Sequence, residues 1–164
     1  MTANEIEVRV AMLLNYRVYT IVPNVSWGLG LSHECDMLAL DTKGRFTEIE
    51  IKTTASDLKA DFNKSHGHKS KIISRLFYAM PLNLCEKYKD LIPAHCGIIS
   101  IQEETIRGEI YYRAAYFRQC RHKVEQLPDV KTIRKFMELG CMRIWTLKAA
   151  LQKSKNEIKK LKNK

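Results

Sequence analysis

Acidic side chains are the scarce class in this chain: 18 Asp and Glu stand against 28 Lys and Arg, for a formal charge of +10. That deficit disfavours basic partners and favours polyanions. Apolar runs are also short. No stretch of about 18 consecutive apolar residues occurs, which excludes a hydropathic membrane-spanning helix, and no membrane association is expected. The opening Met1-Thr2-Ala3-Asn4-Glu5 lacks a basic segment followed by an apolar one, so no secretory leader is expected. The five cysteines (35, 85, 96, 120 and 141) are odd in number and widely spaced, with no Cys-x-x-Cys pair. This argues against a disulfide framework or a zinc ribbon and fits reduced, mostly buried thiols in a cytoplasmic compartment. What is present is ordinary for a globular domain: 164 residues, 45% hydrophobic and 28% charged, enough for one domain with a buried core.

The charge is unevenly placed. Residues 1–52 hold 5 Lys/Arg and 7 Asp/Glu, a balance of −2, and the remainder holds 23 and 11, a balance of +12. An acidic cluster followed by a basic body suits a protein whose carboxylates hold cations while its lysines and arginines hold a phosphate backbone. The bland alternative is a generic basic protein.

The most informative stretch is His33-Glu34-Cys35-Asp36-Met37-Leu38-Ala39-Leu40-Asp41, then Thr42-Lys43-Gly44, then Arg45-Phe46-Thr47-Glu48-Ile49-Glu50-Ile51-Lys52. Both flanks alternate with strand period, and the link is a short turn with Gly at the position that favours a left-handed residue. With Thr42-Lys43-Gly44 as the loop, Asp41 faces Arg45, Asp36 faces Glu50 and Glu34 faces Lys52. Opposed carboxylates repel and destabilise a hairpin. A divalent cation offsets that cost most simply, held by carboxylate oxygens, a backbone carbonyl and water. Lys52, two residues after Glu50, returns to the same face and places an ammonium beside it. Those parts suit metal-assisted phosphodiester hydrolysis. The competing reading of Glu-Ile-Glu-Ile-Lys is a solvated strand face.

Elsewhere, Asn4 with Glu7 three residues on predicts a capped first helix. Arg17–Val22 reads as a strand ending at Pro23, and Val25–Leu31 as a loop. Thr54 or Ser56 caps a second helix running to Phe62, and Lys69–Ser74 reads as a short helix. Arg75–Met80 reads as a buried strand stopped by Pro81, and Asn83–Leu91 as a short helix. Gly97–Gln102 and Glu109–Phe117 form a second hairpin across Glu103–Gly108. From Val130 the pattern is helical, with a break expected at Gly140. The class is α/β, a mixed sheet flanked by helices with a long basic C-terminal helix.

The order helix, strand, strand with Asp36, strand with Glu50-Ile51-Lys52, helix, strand resembles the PD-(D/E)xK nuclease superfamily, the restriction-endonuclease-like fold. Glu34-Cys35-Asp36, Glu50-Ile51-Lys52, Ser56-Asp57-Leu58-x-x-Asp61 and Leu76-Phe77-Tyr78-Ala79-Met80-Pro81 resemble more narrowly DNA-repair endonucleases of the MmcB type, over about residues 30–120. The resemblance implies a DNA endonuclease dependent on Mg²⁺ or Mn²⁺. Asp36, Glu50 and the Ile51 carbonyl would be its metal ligands, Lys52 its catalytic lysine, and Glu7 a first-helix glutamate at the metal. It also implies a nuclease-like core over residues 1–128, with 129–164 a helical extension of the same domain. Cys35 stands where the superfamily motif has Pro, and the lysine that follows the helical Asp in the narrower group is left between Lys64 and Lys69.

Asp57 and Asp61 share a helix face. Asp57 is the candidate to support the metal or Lys52, against a capping role; for Asp61 capping is favoured. His66, His68, Lys64, Lys69, Lys71 and Arg75 form a basic stretch that suits phosphate or an ordinary solvent loop, and Arg118, Arg121, His122 and Lys123 a second basic cluster, with a strand-end surface patch as its bland reading. In the tail, Leu147, Leu151, Ser154, Ile158 and Leu161 follow heptad spacing. Residues 148–164 hold seven Lys and one Glu, so the tail suits DNA contact or a homodimer seam. Two rivals stand beside the deoxyribonuclease: a nuclease-fold protein that binds DNA or assembles without cutting, and an RNA-processing nuclease.

Overall fold

In the computed structural model, residues 1–26, 28–31, 33–62, 70–121 and 126–162 are described. Helix α1 (Ala3–Leu14) leads into strands β1 (Thr20–Val25), β2 (Cys35–Leu40) and β3 (Phe46–Ile51). Then come α2 (Ala55–Phe62), β4 (Ile73–Pro81), α3 (Leu82–Tyr88), β5 (Gly97–Ile106), β6 (Glu109–Arg118) and α4 (Val130–Lys162). The strands form one sheet in the order β1-β2-β3-β4-β5-β6. β1, β2 and β3 are antiparallel neighbours, β4 is parallel to β3, β5 is parallel to β4, and β6 returns antiparallel. The mixed sheet and the expected element order are both present.

Alternation along the strands assigns the two faces. Met37, Ala39, Ile49, Ile51, Phe77 and Ala79 pack under α1 through Ile6, Val10 and Leu14. On the other face Leu38, Leu40 and Phe46 meet Phe136 and Leu139 of α4, while Tyr78, Met80 and Ile98 meet Leu58 of α2 and Cys85 of α3.

Local predictions fail where a different residue completes the geometry. Thr2, not Asn4, caps α1: its side chain accepts from the Glu5 amide, and Glu5 reaches back to the Thr2 amide. This reciprocal box occupies Glu5 and leaves Glu7 out of the cap. β1 begins later than expected and runs through Pro23, which the sheet tolerates because β1 is an edge strand. The short helix expected over Lys69–Ser74 is not formed at its described end, where Ile73 and Ser74 already belong to β4. The second hairpin has longer arms and a two-residue turn at Arg107-Gly108, both at positive φ, as a twisted hairpin prefers.

Gly140 does not break α4, which continues unbroken to Lys162. A Cβ there would lie 3.1 Å from Val22 Cγ2, so this glycine lets the helix approach β1 closely. Past that point α4 is almost wholly exposed, and Ile144, Leu147, Leu151, Ile158 and Leu161 form an uncovered stripe. The Phe136 ring meets Phe46 edge-on at 5.0 Å. Phe136→Ala is therefore expected to cost about 3–5 kcal/mol, whereas Ile144→Ala should stay within about 0.5 kcal/mol; urea denaturation of both variants checks where α4 leaves the body.

Candidate active site

The β2–β3 hairpin takes the expected register. Met37 pairs with Ile49, Leu38 with Glu48, Ala39 with Thr47 and Leu40 with Phe46. The turn is tied by Asp41, whose Oδ1 accepts from the Lys43 and Arg45 amides while its Oδ2 accepts from Arg45 Nε at 2.7 Å. Gly44 has φ +74°.

Continuing that register sets Asp36 opposite Glu50, but the ladder stops at Met37–Ile49. The Ile51 amide instead donates to Asp36 Oδ2 at 2.7 Å, so the Asp36 carboxylate sits at the β3 backbone. In a strand a residue's N–H and C=O point to the same side. The Ile51 carbonyl therefore faces the Asp36 side, while Lys52 N turns the other way and donates to Ala79 O at 3.0 Å. Glu34, expected opposite Lys52, is exposed and has no such pairing, because Lys52 is buried.

Three carboxylates share this end of the sheet. Burial raises the Glu7 pKa, and the charge on Asp36 raises it further. Burial lifts Glu50 to about 7; the Lys52 charge opposes that rise, while Asp36 and Glu48 add to it. Burial works against the Lys52 ammonium, but Glu50 and Asp61 outweigh it and hold the lysine charged, its pKa raised overall. Lys52 Nζ donates to Glu50 Oε2 at 2.9 Å and to Asp61 Oδ1 at 3.0 Å, and the Tyr78 hydroxyl donates to Asp61 Oδ2 at 3.1 Å.

Asp61, from the last turn of α2, is thus the residue that supports Lys52. Asp57 is exposed near the start of the helix, where its amide donates to Thr54 Oγ1. The sequence held the clue: the spacing from Leu58, which is buried in the core, turns Asp61 inward with it.

Among the described residues, the basic candidates are not brought to this cluster. Arg75 faces Asp41 at 3.8 Å, at the turn end of the hairpin and about 17 Å along the strand from Asp36 at ~3.4 Å per residue. Lys71 is exposed. Lys64, Lys69, His66 and His68 lie outside the described residues, as do His122 and Lys123. Arg118 is a structural clamp, its guanidinium donating to the carbonyls of Lys89, Ile92, Pro93 and Cys96.

A groove of about 580 Å³ lies past Lys52, lined by Thr53, Pro81, Asn83 and Gln102 among others and by none of Glu7, Asp36, Glu50 and Lys52. It lies at the carboxyl ends of the parallel strands β3, β4 and β5, where open α/β sheets place their ligands.

The donor set fits a hard divalent cation. Glu7, Asp36, Glu50 and the Ile51 carbonyl offer only oxygen. Among the described residues, the cluster sets a single ammonium, Lys52, against the carboxylates Glu7, Asp36, Glu50 and Asp61. A bound cation would offset the Asp36 charge that adds to burial in raising Glu7 and Glu50.

This has a measurable consequence. Glu50 is raised above its ordinary value of 4.5 to about 7, so between those values the folded protein keeps a proton that the unfolded chain has released. Stability contributed by this group is therefore lost as pH rises through that window. Thermal melts in chelator should fall from pH 5 to pH 8, and Mg²⁺ should raise the melting temperature more at pH 8 than at pH 5.

Fold and site together define a mixed α/β protein with a carboxylate–lysine cluster at the carboxyl end of its parallel strands. The chain belongs to the MmcB-like DNA repair protein family, whose family model matches residues 1–150. Among solved structures it is similar to a protein of unknown function from Silicibacter pomeroyi, with 20% identity, 94% of each chain covered and a TM-score of 0.65; at that identity the likeness concerns the fold. No curated protein matches the chain. No helix among the described residues is long and apolar enough to cross a membrane.

Proposed function

We propose that this DNA-repair family member is a metal-dependent DNA endonuclease. The observation that carries the reading is the charge of Asp36 acting on both Glu7 and Glu50, with Glu50 held by Lys52 at 2.9 Å, an arrangement whose repulsion a cation would relieve. Asp36, Glu50 and the Ile51 carbonyl would hold Mg²⁺ or Mn²⁺, with Glu7 alongside. When bound, such an ion supplies Lewis-acid polarisation of the scissile phosphate and a more acidic water.

The protein's own residues do the rest. Asp61 and Glu50 keep Lys52 charged and fix its stem. Two of its three N–H donors are engaged by those carboxylates, which leaves one for a phosphate oxygen or the attacking water. Tyr78 holds Asp61 in place through its hydroxyl. An ammonium fixed in this way stabilises charge that develops during attack without reorganising at that moment.

The test is cleavage of duplex, nicked, branched and single-stranded DNA in Mg²⁺, in Mn²⁺ and in chelator. The reading expects metal-dependent cutting that the fold-preserving Asp36→Asn lowers by at least about a hundredfold while DNA binding persists. Salt-dependent DNA binding with no metal response would favour the non-cutting DNA-binding alternative.

The lysine-rich end of α4 is proposed as a backbone grip. Its heptad flanks carry Arg143, Lys148, Lys155 and Lys162 against Glu157, which disfavours pairing with a second copy of itself and suits phosphate. Removing residues 148–164 should leave the fold intact, since the described side chains there are exposed. It should also weaken DNA binding and flatten the slope of log K against log salt by roughly 0.9 for each phosphate the tail neutralises. An unchanged slope would take the tail off the DNA, and sedimentation equilibrium of both forms tests the homodimer.

A further inference from the structure

A second group of side chains converges on the same hairpin. His33, just ahead of β2, Cys35, its first residue, and Glu48, in β3, bring a ring nitrogen, a sulfur and a carboxylate oxygen within 4.8 Å of one another. His33 Nε2 lies 2.6 Å from Glu48 Oε1 and 3.8 Å from Cys35 Sγ. All three are shut away from solvent: the His33 side chain is 4% exposed, and Glu48 and Cys35 are 0% exposed.

We propose that His33, Cys35 and Glu48 form a transition-metal site for Zn²⁺ or an ion of similar softness, distinct in ligand chemistry from the all-oxygen set of Glu7, Asp36 and Glu50. Imidazole, thiolate and carboxylate are the three ligand types Zn²⁺ uses, and three protein ligands leave one position for a further donor. Metal–ligand bonds of about 2.0–2.3 Å set neighbouring corners of a tetrahedron roughly 3.3–3.8 Å apart. The Nε2–Sγ separation already has that value, and the Nε2–Oε1 separation reaches it by widening under ~1 Å.

Charge supports the assignment. A dication with one thiolate and one carboxylate is neutral, and a neutral unit is what a water-excluded position tolerates. Without a metal the three groups hydrogen-bond to one another, His33 to Glu48 at 2.6 Å and to Cys35 at 3.8 Å; a bound ion would take the place of those contacts. Softness separates the two sites, because thiolate selects Zn²⁺ or Co²⁺ over Mg²⁺.

The test is titration of metal-free, full-length protein with Co²⁺ in excess Mg²⁺, in a Cys120→Ser, Cys141→Ser background that removes the two thiols not fully buried. One equivalent of Co²⁺ is expected to give tetrahedral d–d bands and a sulfur-to-cobalt charge-transfer band, both displaced by Zn²⁺. Cys35→Ser should abolish the charge-transfer band. Glu48→Gln should weaken Co²⁺ binding by at least about tenfold, the lower bound for losing even an outer-shell partner. X-ray absorption of the Zn²⁺-loaded protein, which needs no variant at the site, should show one sulfur among nitrogen and oxygen neighbours. A missing charge-transfer band, a band that survives Cys35→Ser, or a shell without sulfur overturns the site. The oxygen cluster contains no sulfur, so these outcomes leave the nuclease reading untouched. Conversely, the cobalt band should persist in Asp36→Asn.

Discussion

Asp36→Asn should lower Mg²⁺-dependent DNA cleavage by about 10²–10³-fold or more, the scale on which removing one preorganised charge-stabilising group slows a reaction. The substitution should not unfold the protein. An asparagine oxygen accepts the Ile51 amide as Asp36 Oδ2 does, so the backbone tie between β2 and β3 survives. What disappears is the negative charge that raises both Glu7 and Glu50. In chelator the variant should therefore melt at or above the wild-type temperature, and it should lose the increment Mg²⁺ confers. Single-turnover cleavage at saturating Mg²⁺, beside melts with and without the ion, reads both effects. Wild-type rates from Asp36→Asn would remove this residue from the site.

The second large effect concerns stability. Lys52→Met should cost about 3–5 kcal/mol, the range for breaking a buried ion pair by removing one partner. Lys52 is 2% exposed, as is Glu50, and Asp61 is 3% exposed, so the substitution strands two carboxylates that water cannot solvate. A domain's whole stability is roughly 5–15 kcal/mol, which puts this variant near its limit. The loss should shrink at low pH. The uncompensated carboxylates take up protons more readily than in the unfolded chain, so stability is regained as pH falls through their raised values. Urea curves at pH 5.5 and pH 8 check this, and an equal loss at both would mean that charge is not the cause.

Much of this arrangement is legible in the chain, for physical reasons. Strand alternation and one Gly in a three-residue turn specify the hairpin register, since a slip by one residue would send Leu38 and Leu40 to the wrong face. The nearness of Asp36 to Glu50 follows from that register, and Glu7 is placed by resemblance. Charge arithmetic is a poorer guide. Arg75 reads as a phosphate binder and Arg118 as part of a basic surface cluster, yet one pairs with Asp41 and the other clamps four carbonyls. Composition carries no information about which cations are already engaged within the fold. Asp61 misleads because an acid in a short helix has two ordinary explanations, and only the position of β4, with Tyr78, decides between them. Gly140 looks like a helix stop because Val22, which it lets approach, is more than a hundred residues away in sequence. His33, Cys35 and Glu48 do not stand out as a group because no ligand spacing joins positions on either side of a turn.

Isothermal titration of metal-free protein with Mn²⁺, repeated for Asp36→Asn and Glu50→Gln, reaches the central claim most directly. If Asp36 and Glu50 hold one ion between them, the wild type binds a divalent ion that each substitution alone abolishes or severely weakens, while circular dichroism stays native. Undiminished binding in both variants, or no binding by the wild type, would contradict it.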